Sequence, residues 1–212
     1  MPRFVITGQR ARASADFLLQ DLPSSSGRLD VLLGCLRAGL LVSHGLRRES
    51  VVYLILNGGP RAPRVLRFNG AEVRFLRPDE RSLAVLVQKA LRTEMDHPEF
   101  TEVRPGIAVA KGGLECVLNE LGLSMASSLG PESLPPAYSL DERGEDLRSI
   151  VDYGPNPIFF LGDDIGFDAA THERLSRLVR RTISVGPTSL YAEHALSILL
   201  NELDRRGRRS QA

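Results

Sequence analysis

Two runs carry the residues best suited to hold a small molecule: Phe159-Phe160-Leu161-Gly162-Asp163-Asp164-Ile165-Gly166-Phe167 and Ile183-Ser184-Val185-Gly186-Pro187-Thr188-Ser189-Leu190. In each, an apolar stretch stops at a glycine, where a buried strand would end. Glycine lets backbone N–H and C=O groups approach a ligand with no side chain in the way. In an open α/β sheet the ligand crevice lies beyond the carboxyl ends of the strands. With the strand end near Leu140, the two runs would wall a ligand held mainly by backbone. The same glycines would serve equally well as plain turn residues, and spacing alone leaves both readings open.

A second constellation is Arg77-Pro78-Asp79-Glu80-Arg81-Ser82, two carboxylates and two arginines at a strand-to-helix turn. A helix N-terminus attracts anions, and arginines would add to that. A carboxylate there can orient a base or accept a proton. Capping alone also explains Asp79 and Glu80, since Asp suits an N-cap and Glu the first turn. Gly27-Arg28-Leu29-Asp30 has the same character and the same two readings. Phosphate fingerprints are missing: no G-x-x-x-x-G-K-[ST] occurs and no G-x-G-x-x-G follows a strand. Nor does a serine sit in a G-x-S-x-G elbow. His44, His97, His172 and His194 read as structural or surface residues.

Apolar periodicity outlines the scaffold that carries these residues. Strands are expected at Arg3 to Thr7, Ser50 to Leu56, Gly106 to Ala110, Ala137 to Leu140, Pro157 to Leu161 and Thr182 to Val185. Val65 to Phe68 and Glu72 to Leu76 flank Asn69-Gly70 as a hairpin would. Helices are expected through Leu29–Leu40, from Asp79 through Leu91, over Leu114 to Leu121, Glu145 to Ile150 and His172 to Arg180, and from Ala192 through Leu203. Asp21 to Gly27 and the Ser-, Gly- and Pro-rich Ser124 to Pro136 read as loops. Alternating strands and helices predict an α/β fold with a mainly parallel sheet and helices on both faces.

Composition sets the outer bounds. The chain has 212 residues, 42% hydrophobic and 25% charged, enough to bury a core without staples. Net charge is +1, so no global basic signal points to nucleic acid. The basic residues are nonetheless almost all arginine, whose planar fork suits phosphate, and only Lys89 and Lys111 are lysine. Cys35 and Cys116 lie in helical apolar patterns and read as core thiols of a reducing compartment; no metal site is expected. The first residues lack a signal-type apolar region, and no apolar stretch reaches the ~18 residues of a membrane span. A cytoplasmic protein with no membrane association is the expectation.

The ordered set of motifs resembles a known family. Phe4 to Gly8, Asp21-Leu22-Pro23, Gly27 to Leu32, Ser43-His44, Arg47-Arg48, Arg67-Phe68, Pro78 to Ser82, Phe159 to Phe167 and Ser184 to Pro187 are similar, in order, to the archaeal-type tRNA pseudouridine-54 N1-methyltransferases. These form the TrmY family of the SPOUT class. The resemblance implies one SPOUT methyltransferase domain over residues 1–212, with a C-terminal trefoil knot over about 137–205. It implies S-adenosylmethionine (SAM) as cofactor, a homodimer, and tRNA or another pseudouridine-containing RNA as partner. The family's cofactor loops would fall at Leu140, at Leu161 and Gly162, and at Ser184, Val185, Gly186, Pro187, Thr188, Ser189 and Leu190. Asp79 would be base or orienter, with Arg81 and Arg28 steering RNA phosphate or polarising a uracil carbonyl. Many relatives have histidine where this chain has Asp164, and 92–137 matches least well. A ribosomal RNA target, or a non-catalytic RNA-binding protein of the same fold, are the alternatives.

Overall fold

Uninterrupted apolar runs at Phe4–Ile6, Val51–Leu56 and Ile158–Leu161 can be buried only in strands covered on both faces. In the computed structural model, which describes residues 1–124 and 134–209, they form the centre of one large sheet. The elements in chain order are β1 (Arg3–Arg12), α1 (Leu22–Ser25), α2 (Leu29–Leu40), β2 (Leu41–Val42), β3 (Gly45–Leu46), β4 (Val51–Gly58), β5 (Arg64–Asn69) and α3 (Glu80–Leu91). There follow β6 (Thr101–Arg104), β7 (Ile107–Lys111), α4 (Leu114–Glu120), β8 (Ala137–Asp146), β9 (Ile158–Gly162), α5 (Ala169–Ser176), β10 (Arg181–Ser184) and α6 (Ala192–Arg209).

Eight strands pair in the order β10-β8-β9-β1-β4-β5-β7-β6. The first five run parallel, and β5, β7 and β6 add an antiparallel flank. Helices cover both faces. One core packs Phe4, Leu32, Leu36, Val87 and Leu199 on the side of α2, α3 and α6. The other packs Val5, Ile55, Val117, Phe160 and Leu175 on the side of α4 and α5. Cys35 and Cys116 are buried free thiols, and burial pushes the Cys116 thiol up to about 11. The expected mainly parallel α/β sheet with helices on both faces is therefore present, extended by an antiparallel flank.

Three local expectations fail for definable reasons. The loop expected from Asp21 to Gly27 contains the short helix α1, Leu22–Ser25, closed by the Ser25 and Ser26 N–H groups donating to the Asp21 and Leu22 carbonyls (both 3.0 Å). Asn69-Gly70 does not turn a hairpin: β5 pairs antiparallel with β4 and β7, and 72–76 is not a strand. The Gly70 N–H instead donates to the Ser50 carbonyl (2.9 Å) and Val73 N–H to that of Asn69 (2.9 Å), while Val73 and Leu76 plug the core as loop anchors. The helix expected over Glu145 to Ile150 shrinks to a single 3-10 turn, Leu147–Ser149, because Glu145 and Asp146 pair with Ile183 and Ser184 of β10. Most of the loop expected at Ser124 to Pro136 lies outside the described residues.

The β8–β10 ladder is interrupted. Arg181 and Thr182 pair with Tyr138 and Ser139, but the next pair is Ile183 with Glu145. Residues 140–144 therefore leave the ladder and form a protrusion at the sheet edge. Bulges of this kind end pairing and re-aim side chains.

Candidate active site

The carboxyl ends of β9 and β10 and the protrusion from β8 surround a cleft of about 390 Å³. That size lies within the roughly 300–1,000 Å³ common for small-molecule sites. Leu140, Leu161, Gly162, Val185, Gly186, Thr188, Ser189 and Leu190 all line it. Ser184 and Pro187 do not. Ser184 is buried beneath the last loop, where its hydroxyl donates to the Gly186 carbonyl (2.7 Å) and accepts from the Gly186 N–H (3.0 Å).

Glycine is required here for two different reasons. A Cβ on Gly162 would stand 2.5 Å from the Cα of Gly166, because the β9–α5 loop folds straight back over the strand end. Gly186 has φ +155° and faces open space, so a side chain there would be strained and would project over the cleft. Asp163 holds the first loop in shape. Its carboxylate accepts from the backbone N–H groups of Gln9 (2.7 Å) and Ile165 (3.0 Å), and its own N–H donates to the Thr7 carbonyl (3.0 Å). Burial pushes its carboxyl above the ordinary range, the two backbone bonds opposing that.

The charge of the cleft is one-sided. Asp141, Glu142, Asp163 and Asp164 line it, and no lysine or arginine among the described residues does. Such a site suits a ligand carrying positive charge and repels one rich in phosphate. Asp141 and Glu142 carry no signal in the sequence, since only the interrupted β8–β10 register brings them to the cleft. His172, read as structural, also lines it from α5.

Asp164 turns outward from the cleft rim. Its Oδ2 lies 2.8 Å from Arg10 Nη2 and 3.6 Å from Arg28 Nη1. Arg28 also grips Asp30 through Nε and Nη2 at 3.1–3.2 Å. Arg28, Asp30, Glu80 and Tyr191 line a second, smaller cavity of about 230 Å³. Tyr191 directly follows Leu190 of the cleft, so the two cavities adjoin. Of the three residues singled out for chemistry, Arg28 thus sits beside the cleft.

Asp79 and Arg81 line neither cavity. The Asp79 carboxylate accepts from the Ser82 backbone N–H (2.8 Å) as the N-cap of α3, and that bond, with the Ser82 side chain, holds its carboxyl below the usual carboxylate range. Arg81 is exposed in the first turn of α3 and makes no ion pair among the described residues. Capping by Asp79 aims its neighbour Glu80 at the cavity that holds Arg28.

Comparison with known proteins gives the family. A family model described as "Putative SAM-dependent RNA methyltransferase" matches residues 1–208. The chain is 37% identical over 205 residues to the tRNA (pseudouridine(54)-N(1))-methyltransferase of Methanococcoides burtonii, covering 97% of this chain and 96% of the relative. It is 39% identical over 211 residues to the protein of the same name from Methanocorpusculum labreanum, covering 98% of each. Archaeoglobus fulgidus Nep1, solved bound to S-adenosylhomocysteine (SAH), shares the fold at a TM-score of 0.62 and 16% identity, covering 96% of this chain and 97% of that one. The chain belongs to this family of SAM-dependent RNA methyltransferases.

Proposed function

We propose that the protein methylates N1 of pseudouridine at position 54 of tRNA, using SAM held in the 390 Å³ cleft. The observation that carries this reading is the pairing of an acidic, backbone-walled cleft with an adjoining cavity of mixed charge that holds Arg28. The residues present fit the cofactor. Gly186 leaves backbone exposed where an adenosine would lie, Gly162 lets the β9–α5 loop fold back to wall the cleft, and Asp141 and Glu142 suit the cofactor's ammonium and sulfonium charges. Leu140, Leu161, Gly162 and the loop from Ser184 to Leu190 would hold it. The bound cofactor supplies an activated methyl sulfonium.

The chain's part is to present the base and manage a proton. Pseudouridine is joined to ribose through carbon, so its N1 carries a proton, which passes to solvent water as the nitrogen takes up the methyl group. Arg28 donates toward a uracil carbonyl or a flanking phosphate, which favours the anionic base. Asp79 acts as orienter, through its cap on α3. Its lowered carboxyl pKa argues against the role of proton acceptor, since an effective base sits near the working pH. Arg81 steers RNA from the exposed face of α3.

Two further features belong to this reading. One is a trefoil knot over about 137–205 within a single domain. β10 lies at the sheet edge beyond β8, yet the next helix packs over the middle, where Glu193 of α6 reaches Arg37 of α2 at 3.0 Å. The segment between must recross the ends of β8 and β9, the route that a knot needs. Knots are rare exceptions to ordinary threading. The other is a homodimer: Ile165 and Tyr191 are 56% and 64% exposed at the cleft mouth, an apolar rim suited to a second copy. No helix among the described residues is long and apolar enough to cross a membrane, and we place the enzyme in the cytoplasm, with its tRNA.

The test is methyl transfer from labelled SAM to tRNA and ribosomal RNA, followed by nuclease digestion and mass spectrometry. Label in N1-methylpseudouridine from the T-loop of tRNA is expected. Label confined to ribosomal RNA, or none in either, would sink the reading.

A further inference from the structure

Arg10 stands where a backbone clamp fixes it. Its carbonyl oxygen is closed in by two glycines: a Cβ on Gly27 would stand 1.9 Å from that oxygen, and one on Gly58 would stand 2.0 Å from it. Gly27 and Arg28 then turn with φ +65° and +68°, so Arg28 is a non-glycine residue in the left-handed region. Such an outlier costs energy and persists where the surroundings over-determine it, often at functional sites. The same turn that presses on the Arg10 backbone thus delivers Arg28 to it. One oxygen of Asp164, on the cofactor loop, meets both guanidinium groups.

Stability does not explain this triad. The Arg10 and Arg28 side chains are 56% and 36% exposed, and ion pairs this open contribute little to folding. The Arg10 side chain makes no other hydrogen bond or ion pair among the described residues and is more than half exposed, which leaves most of its donors open. Asp30 and Asp164 balance the charge of the two arginines, so the group does not draw anions from afar. It offers instead the largely open planar fork of Arg10 beside the outer N–H groups that Arg28 does not commit to Asp30 and Asp164, donors that can meet a phosphate delivered against them.

We infer that Arg10 and Arg28 form a binding site for an RNA phosphodiester at the rim of the cofactor cleft, with Asp164 as the positioning residue that holds both. The site sets where the target nucleotide lies relative to the methyl donor, and in this it rests on the reaction proposed above. Because Asp164 is part of the cofactor loop, the arginines are indexed to the cleft itself.

The test uses the full chain, SAH, and tRNA carrying pseudouridine at position 54. For Arg10→Ala the tRNA Kd should rise about fivefold, and the slope of log Kd against log salt should become shallower by about one. Its SAH affinity should stay within about twofold, which reports an intact cleft. Asp164→Asn should lower kcat/KM for tRNA about tenfold, and Asp164→Glu should recover at least about half of that loss. Adding Arg10→Ala to Asp164→Asn should cost less than about twofold more, because the arginine removed is already unheld. An unchanged salt slope for Arg10→Ala, or independent multiplication of the two penalties, overturns the inference. Turnover by the wild-type protein separates the two readings. A flattened slope without any wild-type methylation keeps the phosphate site and removes the reaction; methylation with an unchanged slope does the reverse.

Discussion

The parallel strands carry a cavity at each end, and the two differ in kind. At the amino ends, beside Pro2, Ser50 and Pro157, lies an open space of about 1170 Å³, three times the cleft at the carboxyl ends. Two of its three arginines are matched to carboxylates: Arg47 grips Asp204 at 2.6 and 3.0 Å, and Arg206 bonds Glu202 at 2.8 Å while lying over the Tyr153 ring. In the smaller cleft, Asp141 and Glu142 have no ion-pair partner among the described residues, and the glycine loops turn backbone toward open space. Volume records where elements fail to meet. A ligand site is recognised by groups left without partners and aimed at one point.

Four variants test this contrast between the two ends. The largest effect is expected from Gly162→Ala, whose Cβ would collide with the Gly166 backbone and push the cofactor loop out of place. SAH affinity by calorimetry should fall more than about tenfold, with secondary structure retained by circular dichroism. Retained affinity would mean that this loop does not form the cofactor wall.

A smaller effect concerns Asp163, which braces the same loop. Its folded-state pKa is raised by burial, so the protonated form is favoured on folding. The stabilisation linked to it is fully present below the ordinary carboxylate pKa and is lost as pH rises through the raised value. The Tm difference between wild type and Asp163→Asn should therefore shift against the wild type from about pH 3 to about pH 7. A difference that moved the other way would show that the backbone bonds outweigh burial.

Next comes Asp79→Asn, which keeps an N-cap and discards the charge. Turnover should stay within about threefold if capping is its role. A loss of about a hundredfold would restore Asp79 as the proton acceptor. The smallest effect is expected at the larger cavity, where Val151 is 96% exposed. Val151→Ser should change SAH affinity and turnover less than about twofold, as a surface substitution does. A marked loss there would give that end of the sheet a role in the reaction.

Much of the site was legible because its signals are local. An apolar run that stops at Gly162 or Gly186 announces a strand end whatever surrounds it. Asp79 followed by Ser82 announces a cap. Other members needed the fold. Asp141 and Glu142 look like continuing strand residues, and only the jump in β10 pairing from Ser139 to Glu145 turns them toward the cleft. Asp164 had no assignable purpose in the sequence, since both its partners lie more than a hundred residues away along the chain. Asn69-Gly70 misled because both edges of β5 are already taken, by the preceding strand β4 and by β7 some forty residues on, which leaves 72–76 no edge to pair with.

Residue order was enough for the class of sheet, the strand ends that line the cleft, and the family, because apolar periodicity and glycine position act over a few residues and motif order survives in one dimension. It took the folded chain to settle which carboxylates face the cleft, that Asp79 is spent on a helix end, and that Arg10 and Arg28 meet on one oxygen of Asp164. Those facts depend on register and on close backbone approach at Gly27 and Gly58, long-range contacts that are fixed only when the whole sheet has paired.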